Sequence, residues 1–469
     1  MGCRFGKMRL LLFIRIPNFN ITLVFVKKLI DTLKNIWSIE ELRNRLLFTI
    51  GLILVYRIGC YVVLPGIDPQ VLSMQTGTGG LLGLIDMFAG GAFSNASIFA
   101  LGVMPYISAS IFMQLAGIVI PQFAKMQKEE SGRNKMEQYT RYITVAVTLF
   151  QAVAYITYLK TQSGPAIAIN NTLFMVSTVV ILTGGSLFVM YLGEKITDRG
   201  VGNGISILIM IGILARLPSA LGLEAVTKFK TDKILFFLIE LAVFFAVILG
   251  LVLLNEGVRR VPLNYARRIV GNNAAREIGG SRNFIPLKVI AAGVMPIIFA
   301  QALMFIPAMI AGFAAGKEAP PAWVQDLSDN TSFWYNLIYA VLVIAFTYFY
   351  TALIFNPTEM AENLKRNNSF IPGIKPGQPT ADYIGAVMDR ITLPGSIFLA
   401  IAGILPGIVV LFGVGQGFAT FFGGTSMLID VAVILDTLQQ IEGYLLMRHY
   451  DGLMKTGRLS AGGRQPIAV

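Results

Sequence analysis

The chain has 469 residues, 55% of them hydrophobic and only 14% charged, with a formal net charge of +12. Soluble domains carry about a quarter charged residues, so a soluble globular fold is excluded, and the short alternating segments of a membrane β-barrel are not found in the sequence. One histidine (His449) and two cysteines far apart in sequence (Cys3 and Cys60) point to neither a metal site nor a disulfide.

Residues 1–27 read either as an atypical extension ahead of the working protein or as a basic arm. Gly6 stands where a myristoylation signal needs Ser or Thr, and Arg15 and Pro17 interrupt the apolar patches. Residues 28–44 form a charged amphipathic stretch expected on the inner membrane surface. Apolar runs follow. A hydrocarbon core of about 30 Å takes roughly 20 apolar residues per helix, and such runs are predicted near 45–63, 97–120, 140–160, 172–192, 203–217, 233–254, 285–312, 333–356, 391–413 and 425–446. The run at 203–217 is short. Lipid cannot satisfy backbone polar groups, so a bundle of about ten helices is the expected design.

The basic residues orient that bundle. With both termini inside, 31 of the 38 Lys and Arg fall on the inner side. The other seven are Arg57, Lys160, Arg216, Lys228, Lys230, Lys233 and Lys317. This is a strong positive-inside signal, and a missed span would scramble it. Because the basic residues come in short pieces between spans, a nucleic-acid interface is a poor reading of the charge.

Three regions carry functional promise. Residues 81–121 place a short amphipathic piece before Gly90-Gly91, then a span holding Ser97, Gly102, Pro105, Ser108, Ser110 and Gln114. So small and polar a face packs on other helices or on water. It reads either as a tight helix seam or as a Gly-hinged half-helix ahead of a porous one. The inner loops 256–286 and 357–390 are long and rich in Arg, Lys, Asn and Gly. Positive-inside bias explains their sign, whereas a docking surface for a partly acidic partner explains sign and length together. Third, Glu240, Asp430 and Asp436 fall within spans, where carboxylates are expensive.

An ordered set of motifs is similar to the SecY family of protein-conducting channels. It includes Arg57-Ile58-Gly59 with Pro65-Gly66-Ile67, Phe88-Ala89-Gly90-Gly91-Ala92 running into Ala96-Ser97-Ile98-Phe99-Ala100-Leu101-Gly102, and Met104-Pro105-Tyr106-Ile107-Ser108-Ala109-Ser110-Ile111. Later come Gln138-Tyr139-Thr140-Arg141-Tyr142, Leu192-Gly193-Glu194-Lys195-Ile196-Thr197-Asp198-Arg199-Gly200, Gly202-Asn203-Gly204-Ile205-Ser206-Ile207, Asn264-Tyr265-Ala266, Pro286-Leu287-Lys288-Val289, Phe355-Asn356-Pro357, Pro372-Gly373-Ile374-Lys375-Pro376-Gly377 and Phe422-Gly423-Gly424-Thr425-Ser426.

The resemblance implies an all-α integral membrane fold. Ten transmembrane helices would form two five-helix halves, 45–217 and 218–446, around a central hourglass pore, with a cytoplasmic tail at 447–469. It implies a pore girdle of Val103, Ile107, Ile205, Ile209, Ile298 and Ile429. Aliphatic side chains there would close around a passing chain while offering ions no ligands. It implies a short plug helix at about 84–95, with Ile85, Met87, Phe88, Gly90 and Gly91. The helices 97–120 and 285–312 would flank a lateral gate, with Gln151 and Gln301 as its polar residues. Arg259, Arg260, Arg267, Arg268 and Lys375 would dock the SecA motor ATPase and the ribosome. Where the family usually has Arg, this chain has Lys375, which keeps the charge but loses the planar fork. SecE-like and SecG-like small membrane subunits are the other implied partners, together with signal-sequence-bearing polypeptides and the lipid bilayer, and the expected location is the bacterial inner membrane.

The implied activity is passage of unfolded polypeptide across the membrane, with membrane segments released sideways into lipid. This is a non-enzymatic role with no cofactor. No phosphate-binding G-x-x-x-x-G-K-[ST] loop is present, so ATP would be used by a partner. An ion-coupled secondary transporter is the competing class, with Asp430, Asp436 and Glu240 as coupling groups. An intramembrane enzyme ranks last, since no His or Cys nucleophile system is visible.

Overall fold

In a computed structural model of the chain, the structure describes residues 37, 39–67, 86, 88–163, 171–265, 283–290, 293–301, 303–304, 326–327 and 331–461. The helices are α1 (Glu40–Gly59), α2 (Met104–Val119), α3 (Pro121–Lys128), α4 (Glu130–Ser163), α5 (Asn171–Arg199), α6 (Gly204–Lys230) and α7 (Ile234–Glu256). They continue as α8 (Phe333–Ile354), α9 (Pro357–Arg366), α10 (Gln378–Leu411), α11 (Gln416–Ala419) and α12 (Gly424–Ala461). Residues 295–301 are helical as well. Among the described residues, five stretches are long and apolar enough to cross a membrane: Thr172–Arg199, Gly204–Lys230, Ile234–Glu256, Phe333–Arg366 and Gln378–Leu411.

Local chemistry sets the helix starts. The Asn203 side chain accepts from the Ser206 N–H and opens α6, while Asn356 accepts from Thr358 and Glu359 ahead of Pro357 and opens α9. α7 is apolar all round, and only Glu240, Phe244 and Leu251 of it are buried. Leu235, Phe236, Leu238 and Ile239 stand exposed along it, as side chains facing lipid do.

The structure corrects several expectations. The run at 203–217 is not a short span: α6 continues to Lys230, 27 residues in all, with Pro218 inside it. Arg216, Lys228 and Lys230 therefore belong to a helix rather than to an outer loop, and the expected junction of the two halves at 217/218 falls within α6. The span expected at 97–120 becomes helical only at Met104. Residues 97–103 are turns, because the chain here bridges Val63 to Ser97, and Pro105 then starts the helix.

The fold is also not purely helical. β1 (Val258–Tyr265), β2 (Asn283–Lys288) and β3 (Ser369–Phe370) form an antiparallel sheet in the order β2-β1-β3. Val258 pairs with Lys288 and Leu263 with Asn283, while Tyr265 pairs with Ser369. The span expected from 285 thus begins as strand. Alternation along β1 and β2 puts Val261, Leu263, Ile285 and Leu287 into a small core with Ile371, Ile384 and Met388 of the following loop and α10. The "loop" 357–390 is consequently α9, β3 and the first turns of α10.

Candidate functional site

The main apolar cluster of the molecule takes in all six girdle candidates. Val103, Ile209 and Ile429 are buried in it, and Ile107, Ile205 and Ile298 are half-buried against it. They come from five separate pieces of chain: the turn before α2, α2, α6, residues 295–301 and α12. Ile429 is followed by Asp430, which is also buried, so the helix face carrying it meets protein on both sides.

The glycine-rich segment before α2 sits against this cluster. Phe88, Ala89, Ala92 and Phe93 are buried; Ile85 and Met87 lie outside the described residues. Beyond Phe88 the segment is a chain of turns rather than the helix expected at 84–95. Gly90 and Gly91 both take positive φ, +64° and +91°. A side chain at Gly90 would also collide with the α6 backbone, since its Cβ would lie 2.9 Å from Gly212 Cα. Gly212 returns the constraint, because a Cβ there would lie 3.0 Å from the Phe88 carbonyl oxygen. Two backbones meet at glycine on both sides.

Polar tethers surround that contact. Asp86 is 1% exposed. Its carboxylate accepts from the Ser94 N–H at 2.8 Å and pairs with the Arg216 guanidinium. Arg216 also donates to Ser94 Oγ at 2.8 Å. Burial pushes the Asp86 carboxyl above its ordinary range, and Arg216 pulls the other way. From α1, Arg57 donates to the Gly90 carbonyl at 3.0 Å. From α4, the Tyr155 hydroxyl donates to the Phe93 carbonyl at 2.8 Å. Asp86 and Arg216 are the residues the sequence reading missed. Their sequence signal was an acidic residue inside an apolar run and one arginine on the outward side of the charge count.

A second, smaller cluster marks a seam. Tyr350 on α8 donates to Gln114 on α2 at 2.8 Å, and Gln114 donates to Ser110 at 3.4 Å. Phe299 packs on Tyr350 and Phe346, with ring centroids 4.8 and 5.7 Å apart, and Ile111, Leu115 and Met295 close around them. Of the predicted gate residues, Gln301 is buried and Gln151 is half-buried on α4. Among the described residues, the Tyr350 hydroxyl donating to Gln114 bridges this seam.

The sheet brings the two long loops together, because β3 of the second pairs with β1 of the first. Arg259 and Arg260 are exposed on β1, and Arg260 lies over the Phe284 ring at 4.8 Å. Lys375 is exposed in the turn between Gly373 and Gly377, both at positive φ. Arg267 and Arg268 lie outside the described residues.

Glu240 is not a free intramembrane carboxylate. Lys228 donates to it at 2.8 Å and to the Gly413 carbonyl at 2.9 Å, and sits 3.4 Å from Glu224. Glu224 in turn accepts from the Gly415 N–H.

Comparison with known proteins agrees with this architecture. The family model SecY matches residues 97–438. The protein translocase subunit SecY of Streptomyces galbus is 42% identical over 430 residues, covering 88% of this chain and 97% of the relative. That of Vibrio cholerae is 41% identical over 439 residues, covering 91% and 97%. Among solved structures, a protein-conducting channel aligns with a TM-score of 0.61 at 16% identity, covering 85% of this chain and 91% of the other. Sec61 in a canine ribosome–channel complex aligns at 0.58 and 15%, with the same coverage. The chain belongs to the SecY family.

Proposed function

We propose that this chain is the pore-forming subunit of a protein-secretion channel, passing unfolded polypeptide across the membrane and releasing apolar segments sideways into lipid. The observation that carries this reading is the buried glycine segment pressed on α6 at Gly212, directly beside the apolar girdle candidates. In this reading residues 86–95 are the plug, and Val103, Ile107, Ile205, Ile209, Ile298 and Ile429 are the waist. The seam between α2 and α8 with residues 295–301 is the lateral gate. The full set of ten spans in two halves, with both termini cytoplasmic and an hourglass pore, completes the picture.

The β1–β3 sheet and the 373–377 turn are the docking surface for a motor ATPase and the ribosome, and small membrane subunits clasp the bundle. One relative whose structure is similar was solved on a ribosome, which supports a ribosomal partner. Glu240 is already engaged by Lys228, which weighs against its use in ion coupling by a transporter.

The test is electrical. Replacing Ile107, Ile205 and Ile298 by Gly should raise ion leak across bilayers holding the reconstituted channel. A cysteine at Ile107 or Ile298 should crosslink to a secretory chain stalled in transit. Unchanged conductance together with no crosslink would overturn the pore assignment.

A further inference from the structure

The polar tethers of the plug segment share one property. Arg57 is on α1, Tyr155 on α4, and Arg216 on α6. All precede the turn at 231–233 that ends α6 and starts α7. The seam uses other residues: Gln114 meets Tyr350, which lies after that turn. The two sets share no side chain. Movement of α8 away from α2 breaks the Gln114–Tyr350 bond and leaves each named plug tether in place. Conversely, breaking Asp86 from Arg216 leaves the seam bond untouched.

We infer that the buried Asp86–Arg216 pair is the polar fastening of the plug and ties it to the first half, making plug release a step separate from opening of the lateral seam. This rests on reading residues 86–95 as the plug. The physical reason is the placement of the charge. Asp86 is buried, so a carboxylate that loses Arg216 is left uncompensated in an apolar setting. At 1% exposure in its seat, it gains hydration as the segment leaves. The pair therefore holds the segment while intact and expels it when broken. Among the described residues the seam, by contrast, joins α2 to α8 through a neutral hydrogen bond and an aromatic cluster, which part without leaving a charge behind. Sideways exit of an apolar segment and opening of the aqueous path thus have different triggers.

The experiment uses the full chain reconstituted with its small membrane subunits. Gln114→Cys and Tyr350→Cys, in a background with Cys3 replaced and the buried Cys60, which contacts Ala89, kept, are joined by a short bifunctional thiol reagent to hold the seam shut. Resting conductance without precursor is then compared for the parent, Asp86→Asn and Arg216→Gln. Arg216→Gln should raise the leak about tenfold or more with the seam held. The double variant, which has no stranded charge, should leak less than Arg216→Gln alone. Elution as a single complex in detergent shows that each variant is assembled. A parental leak in Arg216→Gln overturns the inference, as does a leak that appears only when the seam is free. Deletion of residues 84–94 separates the two levels. If the deletion leaks and Arg216→Gln does not, the ionic fastening fails and the plug reading stands. If neither leaks, the plug reading fails with it.

Discussion

Replacing Lys228 by Met should be among the most destabilising single changes where α6 meets α7. Lys228, Glu224 and Glu240 keep only 11%, 7% and 9% of their side chains exposed, so solvent screens them little. Lys228 donates to Glu240 at 2.8 Å and to the Gly413 carbonyl at 2.9 Å. The methionine has similar length but no charge, which leaves two buried carboxylates with no cation between them. Removing one partner of a buried pair costs about 3–5 kcal/mol. Removing Glu240 as well lifts most of that penalty, because Glu224 keeps the Gly415 N–H. Lys228→Met/Glu240→Met should therefore be more stable than Lys228→Met alone by about 2 kcal/mol, roughly a 30-fold difference in the folded fraction. Unfolding of the detergent-solubilised complex in denaturant, analysed as a double-mutant cycle, measures this. Equal stability of the single and double variants would refute the reasoning and leave the triad as three weakly coupled surface charges.

Further predictions follow from the same contacts. Gly212→Leu places a side chain where a Cβ alone already meets Phe88 O at 3.0 Å and Gly90 N at 3.3 Å; it should push the plug from its seat and raise resting leak, read as bilayer conductance. Tyr350→Phe removes the donor to Gln114 and should loosen the seam by about 1 kcal/mol, seen as faster insertion of weakly hydrophobic signal segments in a translocation assay. Reversing charge at Arg259, Arg260 and Lys375 should weaken motor or ribosome binding, most strongly at low salt where exposed charges are least screened; co-sedimentation across a salt series checks it.

The seam and the glycine segment differ in how their energy is stored, and this decides how each responds to mutation. The seam combines aromatic packing with a neutral hydrogen bond, so substitutions there act in small increments. The seat of the glycine segment combines a backbone-to-backbone contact at two glycines with a buried charge pair. A single methyl group or a single lost charge is felt in full there.

Much of this molecule was legible before any coordinates. Composition alone determined that it is a helical membrane bundle, because lipid permits few other solutions. Distribution of Lys and Arg supplied the orientation reading, and motif order supplied the family. The runs predicted at 233–254 and 333–356 became helices within a few residues, as α7 and α8 show. What stayed hidden depends on partners distant in sequence. Arg216 and Lys228 looked like outer charges, since hydropathy counts them against a span. Only the fold brings Asp86 to Arg216 and Glu240 to Lys228, and those pairings let α6 run on to Lys230. The two long loops showed no strand signal because β1, β2 and β3 are short and separated in sequence. Their pairing became visible only once the fold set Val258 opposite Lys288 and Tyr265 opposite Ser369. Sequence patterns report what each segment prefers by itself; charge pairs, strand registers and glycine contacts arise between segments, so the tertiary structure alone decided them.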